Sequence, residues 1–266
     1  MHSSEGYEDV QFLAGSPGRH DVLATLAAEP LRPADLTDRV DVTRTTVQRV
    51  LAGFAERGWV RKRGRRYEPT PSGRRMLEAY EATLEAADRS RELAPLLEHL
   101  GPVADELPEA ALTAGEVTAA GDTDPLAAVD RVVARLRAAT GSSLLVVSPV
   151  VAETFNRVAA DLLAAATEMQ MVIDERVLEA SAESYPEALA RAREVDDIDV
   201  VVHPEALALG IVVDPEWACL CAYDDDRNLR AVLESDAPEV REWAREYVNG
   251  LKGRARSLRV IVNGDT

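Results

Sequence analysis

The stretch VTRTTVQRVLAGFAERGWVRKRGRRYEPTPSGRRML, residues 42–77, decides the fold of the first part of the chain. Thr43 can cap a helix that runs to about Arg57, and Gly58 ends that helix. Two faces of the helix repeat at the spacing of an amphipathic helix, one apolar (Val47, Val50, Leu51 and Phe54) and one hydrogen-bonding (Thr45, Gln48, Arg49 and Ala52). The pattern predicts a helix that buries one face and presents the other to a partner.

Two shorter helices are predicted before this one. Ser16-Pro17 combines a cap residue with proline at the first helical position, and this helix ends near Pro30. Arg32–Val40 forms the second helix, and a tight turn over residues 41–43 leads into the third. This spacing is typical of a helix-turn-helix, whose last helix meets the edges of DNA bases.

A basic hairpin follows the third helix. Trp59–Lys62 and Arg65–Glu68 read as two short strands around Arg63-Gly64, which suits a wing laid along phosphates. The helix and the hairpin together predict contacts to double-stranded DNA from ten residues: Arg44, Thr45, Thr46, Gln48, Arg49, Arg61, Lys62, Arg63, Arg65 and Arg66. We expect Gln48 and Arg49 to reach base edges, because Gln pairs well with adenine and Arg with guanine.

The charge of the chain is concentrated in the same stretch. The 266 residues carry a formal net charge of −17, yet residues 44–75 hold ten bases and two acids, a net +8, which leaves −25 for the rest. A basic island in so acidic a chain is the footprint of a polyanion contact. A solvated basic face is the plainer alternative that charge alone leaves open.

Composition narrows the class of protein further. Only two of the 30 bases are lysines, which fits either a cytoplasm of very high salt or a genome rich in G and C. The longest nearly apolar run, Leu144–Ala152, is too short to cross a bilayer, and Met1–Asp9 lacks the apolar core of a signal peptide. We therefore predict a cytoplasmic protein, of halophilic type, with no membrane partner.

Residues 10–77 resemble archaeal winged-helix transcription regulators. The resemblance is carried by the sequence Glu-Arg-Gly-Trp-Val, residues 56–60, and by the Tyr-x-x-Thr-x-x-Gly pattern of Tyr67, Thr70 and Gly73. It implies a winged helix-turn-helix DNA-binding domain over residues 1–77. The helix from Pro71 to about Leu100 is long, and its residues 78–100 either connect the domains or pair with the same helix of a second subunit, as dimeric readers of palindromic sites require.

The rest of the chain predicts an α/β sheet domain. Residues 101–125 hold six acids, no bases and three prolines, which indicates a loose linker with one strand, Glu116–Ala119. Strands and helices then alternate through residues 126–266, the pattern of a layered structure with a central sheet. The predicted fold class is thus α+β to α/β, a winged helix and an α/β effector or dimerisation domain joined by a long helix.

This second domain resembles the middle domain of the methanogenesis-regulator family. The segments that carry the resemblance are VVSPVV, SYPEAL, LGIVVDPEW, CAYDDDRNLRAVL and APEVREWAREYV, within residues 100–256. The domain is also distantly similar to the effector domain of TrmB-type sugar regulators, whose core is like half of a phospholipase D. The resemblance implies an architecture and a regulatory role but no chemistry.

No enzyme motif is found in the sequence. A phospholipase D needs H-x-K-x4-D, whereas His203 is followed by Pro204 and Glu205, and no lysine lies between Lys62 and Lys252. We therefore predict no catalytic residues, no cofactor and no metal site. Cys219 and Cys221 share one strand face, as buried apolar fillers or as a redox or metal pair, and residues 224–235 lack the Gly and Glu of a calcium loop.

A ligand site is predicted from five residues near strand ends: Ser148, Tyr185, Asp214, Trp217 and Tyr223. Each could equally be a cap or a core residue. If they converge, the carboxylate of Asp214 favours a neutral polyhydroxy or amide-bearing metabolite over an anion. An inward-pointing Arg157, Arg176 or Arg191 would reverse that preference.

The sequence as a whole predicts a transcription regulator, a DNA-binding homodimer whose second domain senses a small-molecule effector. The alternative is a DNA-associated interaction protein whose second domain binds another protein and no metabolite.

Overall fold

The computed structural model describes residues 4–139 and 143–263. The chain divides into two compact units, Met1–Asp88 and Arg89–Thr266. The first is a winged helix and the second contains a large mixed sheet with helices, so the predicted fold class is confirmed.

The first unit consists of helices followed by a two-stranded hairpin. Its elements are α1 (Ser4–Ala14), α2 (Pro17–Ala28), α3 (Pro33–Thr37), α4 (Arg44–Glu56), β1 (Val60–Arg63) and β2 (Arg66–Pro69), and α5 (Pro71–Leu100) follows. Helix α1 was not predicted, because only Phe12 and Leu13 at its end join the core. A Cβ on Gly53 would lie 2.4 Å from the Phe12 ring, so this glycine of α4 provides the space that α1 needs.

The Thr-x-x-Gly part of the sequence pattern has a structural reason. The hydroxyl of Thr70 donates to the carbonyl of Gly58 at 2.6 Å and accepts from the amide of Gly73 at 3.1 Å, which caps α5. A Cβ on Gly73 would lie 2.0 Å from the carbonyl oxygen of Trp59. Only glycine therefore lets the first turn of α5 lie this close to the backbone of Trp59, just after α4.

The second unit contains the remaining elements. They are a 3-10 helix (Gly101–Glu106), α6 (Glu109–Ala114), β3 (Glu116–Ala119), α7 (Ala127–Ala138), β4 (Ser143–Ser148), α8 (Glu153–Ala164), β5 (Glu168–Asp174), α9 (Glu175–Ser184), α10 (Pro186–Glu194), β6 (Ile198–His203), β7 (Leu209–Val213), β8 (Ala218–Tyr223), β9 (Leu229–Ser235), α11 (Pro238–Lys252), β10 (Arg256–Ser257) and α12 (Leu258–Asn263). Strands and helices alternate through this unit as predicted, and β3 has the predicted bounds.

Eight strands form one sheet in the order β10-β6-β5-β4-β7-β8-β9-β3. Strands β6, β5 and β4 are parallel, whereas every other neighbouring pair is antiparallel. Since β7 runs against β4, with Val147 opposite Ile211, the end of β4 lies beside the start of β7. A residue that follows β4 and a residue that follows β7 therefore lie at opposite ends of this strand pair.

Each face of the sheet is covered by helices. One face packs on α11 and on the last turns of α5, through Val240, Val248 and Leu96 among others. The other face packs on α7, α8 and α9, through Val132, Val158 and Val177 among others. Helices on both faces explain why β7 is buried along its whole length.

Two segments differ from the prediction. Residues 101–125 are not a loose linker, because Val103, Leu107 and Ala111 are buried in the core of the second unit and β3 pairs with β9. Most of the apolar stripe of α5 is also internal: Leu77 joins the first core, and Leu93, Leu96 and Leu100 join a core of the second unit, whereas Leu84 is exposed. The buried leucines are therefore not available to pair with a second subunit.

Candidate nucleic-acid interface and ligand cavity

Helix α4 presents a polar face above a rigid core. Its residues Val47, Leu51 and Phe54 are buried with Leu36 of α3, which fixes the angle between the two helices. The Thr43 hydroxyl accepts from the amide of Thr46 at 3.3 Å and caps the helix. The predicted contact residues of the opposite face are exposed: Arg44, Thr45, Gln48 and Arg49.

Thr46 differs from its neighbours on α4. Its hydroxyl lies 2.9 Å from that of Thr43, and the side chain is half-buried. The structure places it in the cap of the helix, so it is less accessible than Thr45 or Gln48.

The register of the hairpin divides the basic residues of the wing between two faces. Arg61 pairs with Glu68 and Arg63 with Arg66, so these four side chains share one face, whereas Lys62 and its partner Tyr67 lie on the other. One Glu68 carboxylate oxygen accepts from the Nε of Arg61 at 2.7 Å and forms an ion pair with the guanidinium of Arg63, whose Nε lies 2.8 Å away. Sequence reasoning missed this role of Glu68, since it depends on strand register.

The base of the wing is fixed to the chain before α3. Leu31 and Tyr67 exchange two backbone hydrogen bonds, of 3.1 and 2.7 Å, and Arg66 donates to the carbonyl of Pro30 at 2.9 Å. The wing is therefore held in place at its root, with its tip at Gly64 free to approach a partner.

A groove lies between α4 and the wing. Its volume is about 450 Å³, and Gln48 and Ala52 of α4 line it together with Lys62, Arg65 and Tyr67 of the hairpin. Two of the predicted wing contacts and one predicted base contact thus face a common space.

Three of the five residues predicted to bind a ligand lie together. Tyr185 lines a cavity of about 110 Å³, Tyr223 lines a second cavity of about 70 Å³, and Ser148 lines both. Burial raises the pKa of the Tyr223 phenol well above its usual value, so the hydroxyl stays neutral. A Cβ on Gly210 would lie 3.0 Å from that hydroxyl, which explains the glycine in β7.

The other two predicted ligand residues do not join them, and the expected convergence of all five is wrong. Asp214 follows β7 and lies at the opposite end of the β4–β7 strand pair from Ser148, roughly 13 Å away along the strands. Its carboxylate accepts from the amide of Glu216 at 2.9 Å in the turn before β8. Trp217 is buried in the core, with the guanidinium of Arg135 at 4.8 Å from its ring.

The remaining polar candidates have local partners or are buried. His203 is buried, and its Nδ1 accepts from the amide of Glu205 at 3.2 Å. Cys219 and Cys221 are buried free thiols, and burial raises the pKa of Cys221 to about 12, which favours the interpretation as core fillers. The Asp224 carboxylate accepts from the amide of Asn228 at 2.8 Å within the β8–β9 hairpin.

The first unit is thus a winged helix with an exposed polar helix face and a basic wing, and the second is a mixed-sheet unit, an arrangement that two family models match. Residues 7–92 match the family model "HVO_A0261 N-terminal domain". Residues 125–254 match the family model "Methanogenesis regulatory protein FilR1, middle domain". The resemblance to archaeal winged-helix regulators with a methanogenesis-regulator middle domain is therefore confirmed.

Several solved structures are distantly similar to this chain. TrmBL2, an archaeal chromatin protein, is 16% identical, with a TM-score of 0.43 over 96% of this chain and 99% of that one. NucT from Helicobacter pylori is 9% identical, with a TM-score of 0.44 over 54% of this chain and 98% of its own. Nuc from Salmonella typhimurium, a phospholipase D family member, is 11% identical, with a TM-score of 0.40 over 54% and 97%.

These likenesses are too distant to carry an argument about function. Among curated proteins, no sequence matches this chain significantly. Within the part of the chain that the structure describes, no helix is both long enough and apolar enough to span a bilayer.

Proposed function

We propose that this protein is a DNA-binding transcription regulator that acts in a cytoplasm of high salt. The observation that carries the proposal is the exposed polar face of α4 beside a basic wing, within a chain that is otherwise strongly acidic. An acidic body is repelled by DNA, so the basic surface sets the one orientation in which the protein can approach a duplex.

The two parts of this surface serve different purposes in the proposal. Gln48 and Arg49 contact base edges in the major groove and carry sequence preference. The wing residues Lys62, Arg63 and Arg65 contact phosphates and carry affinity. Arg44 and Thr45, in the first turn of α4, contact the backbone beside the groove, where the helix N-terminus also favours a phosphate.

We propose further that the regulator is a homodimer, because one recognition helix covers only one half-site. The buried leucines of α5 do not form its interface. Three exposed apolar residues of the first unit are the candidates: Tyr7 and Val10 on α1, which are 67% and 49% exposed, and Leu84 on α5 at 41%. If these residues form the interface, replacing Tyr7 and Val10 with Ser should lower the molar mass measured by light scattering from that of a dimer to that of a monomer.

The second unit is proposed to sense a small molecule and to change the affinity for DNA. The neighbouring cavities at Ser148, Tyr185 and Tyr223 support this proposal over a domain that binds only protein. Ligand binding to the full chain stabilises the folded state, so a thermal shift on a metabolite panel separates the two possibilities.

Selection of binding sites from random duplex DNA tests the DNA-binding proposal. The full chain should enrich a short sequence, and the Gln48→Ala and Arg49→Ala variants should lose enrichment at single positions within it. Arg245→Ala, which removes an exposed arginine of α11, is the matched control and should select the same sequence as the parent. No enrichment, or enrichment unchanged in both α4 variants, contradicts the proposal.

A further inference from the structure

Three neighbouring voids of the second unit share lining residues, from an open cleft at the surface to a cavity beside the sheet. An open cleft of about 650 Å³ lies between α8 and the α9–α10 corner, and it shares Asn156, Tyr185 and Arg191 with the cavity of about 110 Å³. That cavity shares Ser148 and Phe155 with the inner cavity of about 70 Å³. The three voids therefore lie next to one another, in an order that leads from the cleft toward the sheet, and we call this succession of voids the path.

The inner part of this path is apolar. Aliphatic and aromatic side chains form most of its lining, Phe155, Leu163, Met171, Ile173, Leu189 and Val200 among them. For comparison, a cavity of about 150 Å³ lined by aliphatic side chains and Phe binds benzene. The two cavities together offer room for an apolar body of about six carbons.

The outer end of the path carries hydrogen-bond donors. The Nδ2 of Asn156 is buried and has no hydrogen-bond partner among the described residues, which is a costly arrangement unless a ligand or a solvent molecule accepts from it. Of the described side chains that line the cavity of about 110 Å³, Arg191 is the one that carries a charge. Tyr185 also lines both this cavity and the outer cleft.

The charges at the mouth favour an anion. Arg157 is paired with Glu153 at 2.6 Å, whereas no carboxylate within residues 4–139 and 143–263 pairs with Arg191. Glu153 and Glu187 line only the outer cleft and do not reach the cavity. A group bound where the cavity of about 110 Å³ meets the cleft therefore contacts the Arg191 guanidinium and the Asn156 amide. Neither of these donors has a partner in the described part of the chain.

We infer that this path is a binding site for a small amphipathic carboxylate, with its apolar body in the two cavities and its carboxylate at Arg191 and Asn156. The inference rests on the proposed sensing role of the second unit and gives its ligand a chemical class. It replaces the neutral polyhydroxy ligand expected from the sequence, because Asp214 is absent from the site and Arg191 is present.

Hexanoate is the probe for this site, titrated into the full chain by calorimetry in the absence of DNA. We expect affinity along the series from acetate to hexanoate to rise about four-fold with each methylene that is buried. Hexanoate should bind at least ten-fold more tightly than 1-hexanol, and hexylamine should bind most weakly, since a cation would face Arg191.

Two pairs of variants test the carboxylate-binding end and the apolar cavities of the site separately. Arg191→Gln should weaken hexanoate about ten-fold and leave 1-hexanol unchanged, whereas Arg193→Gln, on the same helix but outside the lining, should change neither. Ala159→Leu fills the junction of the two cavities and should weaken both probes. Ala182→Leu, an exposed position of α9, is its control.

Each outcome decides the inference. Equal affinities for hexanoate and 1-hexanol, or binding of hexanoate that Arg191→Gln does not weaken, overturns the carboxylate at Arg191. Failure of every probe to bind to a chain that melts cooperatively overturns the site itself. DNA binding is measured separately on the same preparation, so failure of the ligand inference leaves the proposed function of the first unit standing.

Discussion

The two units of this protein present different kinds of surface to their proposed partners. In the winged helix, the proposed contact residues are mostly charged and exposed, and they are close in sequence, from Arg44 to Arg66. In the sheet unit, the two cavities are mostly apolar, and their lining comes from the five strands β4 to β8 and from the helices α7 to α10 and α12. A contact surface made of consecutive charges is visible in sequence, whereas a cavity between elements depends on how they pair.

The difference predicts that each unit can be damaged without the other. Gly73→Ala would place a methyl group 2.0 Å from the carbonyl of Trp59, and the overpacking should cost the winged helix about 3 kcal/mol or more. We expect DNA binding to be abolished while the second unit keeps its own melting transition. The measurement is a thermal melt followed by circular dichroism, alongside a DNA-binding assay.

Gly250→Ala is the control for Gly73→Ala. This exposed glycine of α11 has open space around its Cα, so alanine should stabilise the second unit by about 0.5–1 kcal/mol and leave DNA binding unchanged. A single transition of the whole chain, lowered in temperature by Gly73→Ala and raised by Gly250→Ala, would show that the two units do not fold separately.

Replacement of base-contacting residues should give the next largest effect. Gln48→Ala or Arg49→Ala should weaken binding to the selected site by about 1–3 kcal/mol and to random DNA by much less. Both side chains are exposed, so the fold should be unaffected. Equal weakening on both duplexes, measured by fluorescence anisotropy, would show that α4 does not read sequence.

The smallest effect is expected at Glu68. Its carboxylate holds Arg61 and Arg63, so Glu68→Gln should free both guanidinium groups and remove one negative charge from the wing. Exposed ion pairs are weak, and we expect random-sequence DNA to bind more tightly by only about 0.5 kcal/mol. Weaker binding by this variant would mean that Glu68 orients the two arginines for the phosphates.

Much of the winged helix could be predicted, because caps, periodicity and Gly58 fix its elements locally. Helix α1 could not, since its contribution to the core is limited to Phe12 and Leu13 and depends on the space at Gly53. The pairing of Arg61 and Arg63 with Glu68 also escaped prediction, because it requires the hairpin register.

The ligand residues show where prediction from the sequence stops. Ser148 and Asp214 both follow apolar strands, and the sequence does not say that β7 runs antiparallel to β4. Because β7 runs antiparallel to β4, Asp214 lies at the other end of the strands from Ser148. Asn156 gave no signal, and Arg191 was one of three arginines that the sequence could not tell apart. A polar residue on an amphipathic helix is expected to face solvent until the neighbouring helices are in place.

The salt dependence of DNA binding tests the central claim, that the basic surface of the first unit binds the phosphates of a duplex. The log of the affinity of the full chain should fall linearly with the log of KCl concentration. The variant Lys62→Ala, Arg63→Ala, Arg65→Ala should flatten this slope by about 0.9 for each phosphate interaction that it removes, or roughly 2.7 in all. An identical slope for the parent and the triple variant would remove the wing from the interface and contradict the claim.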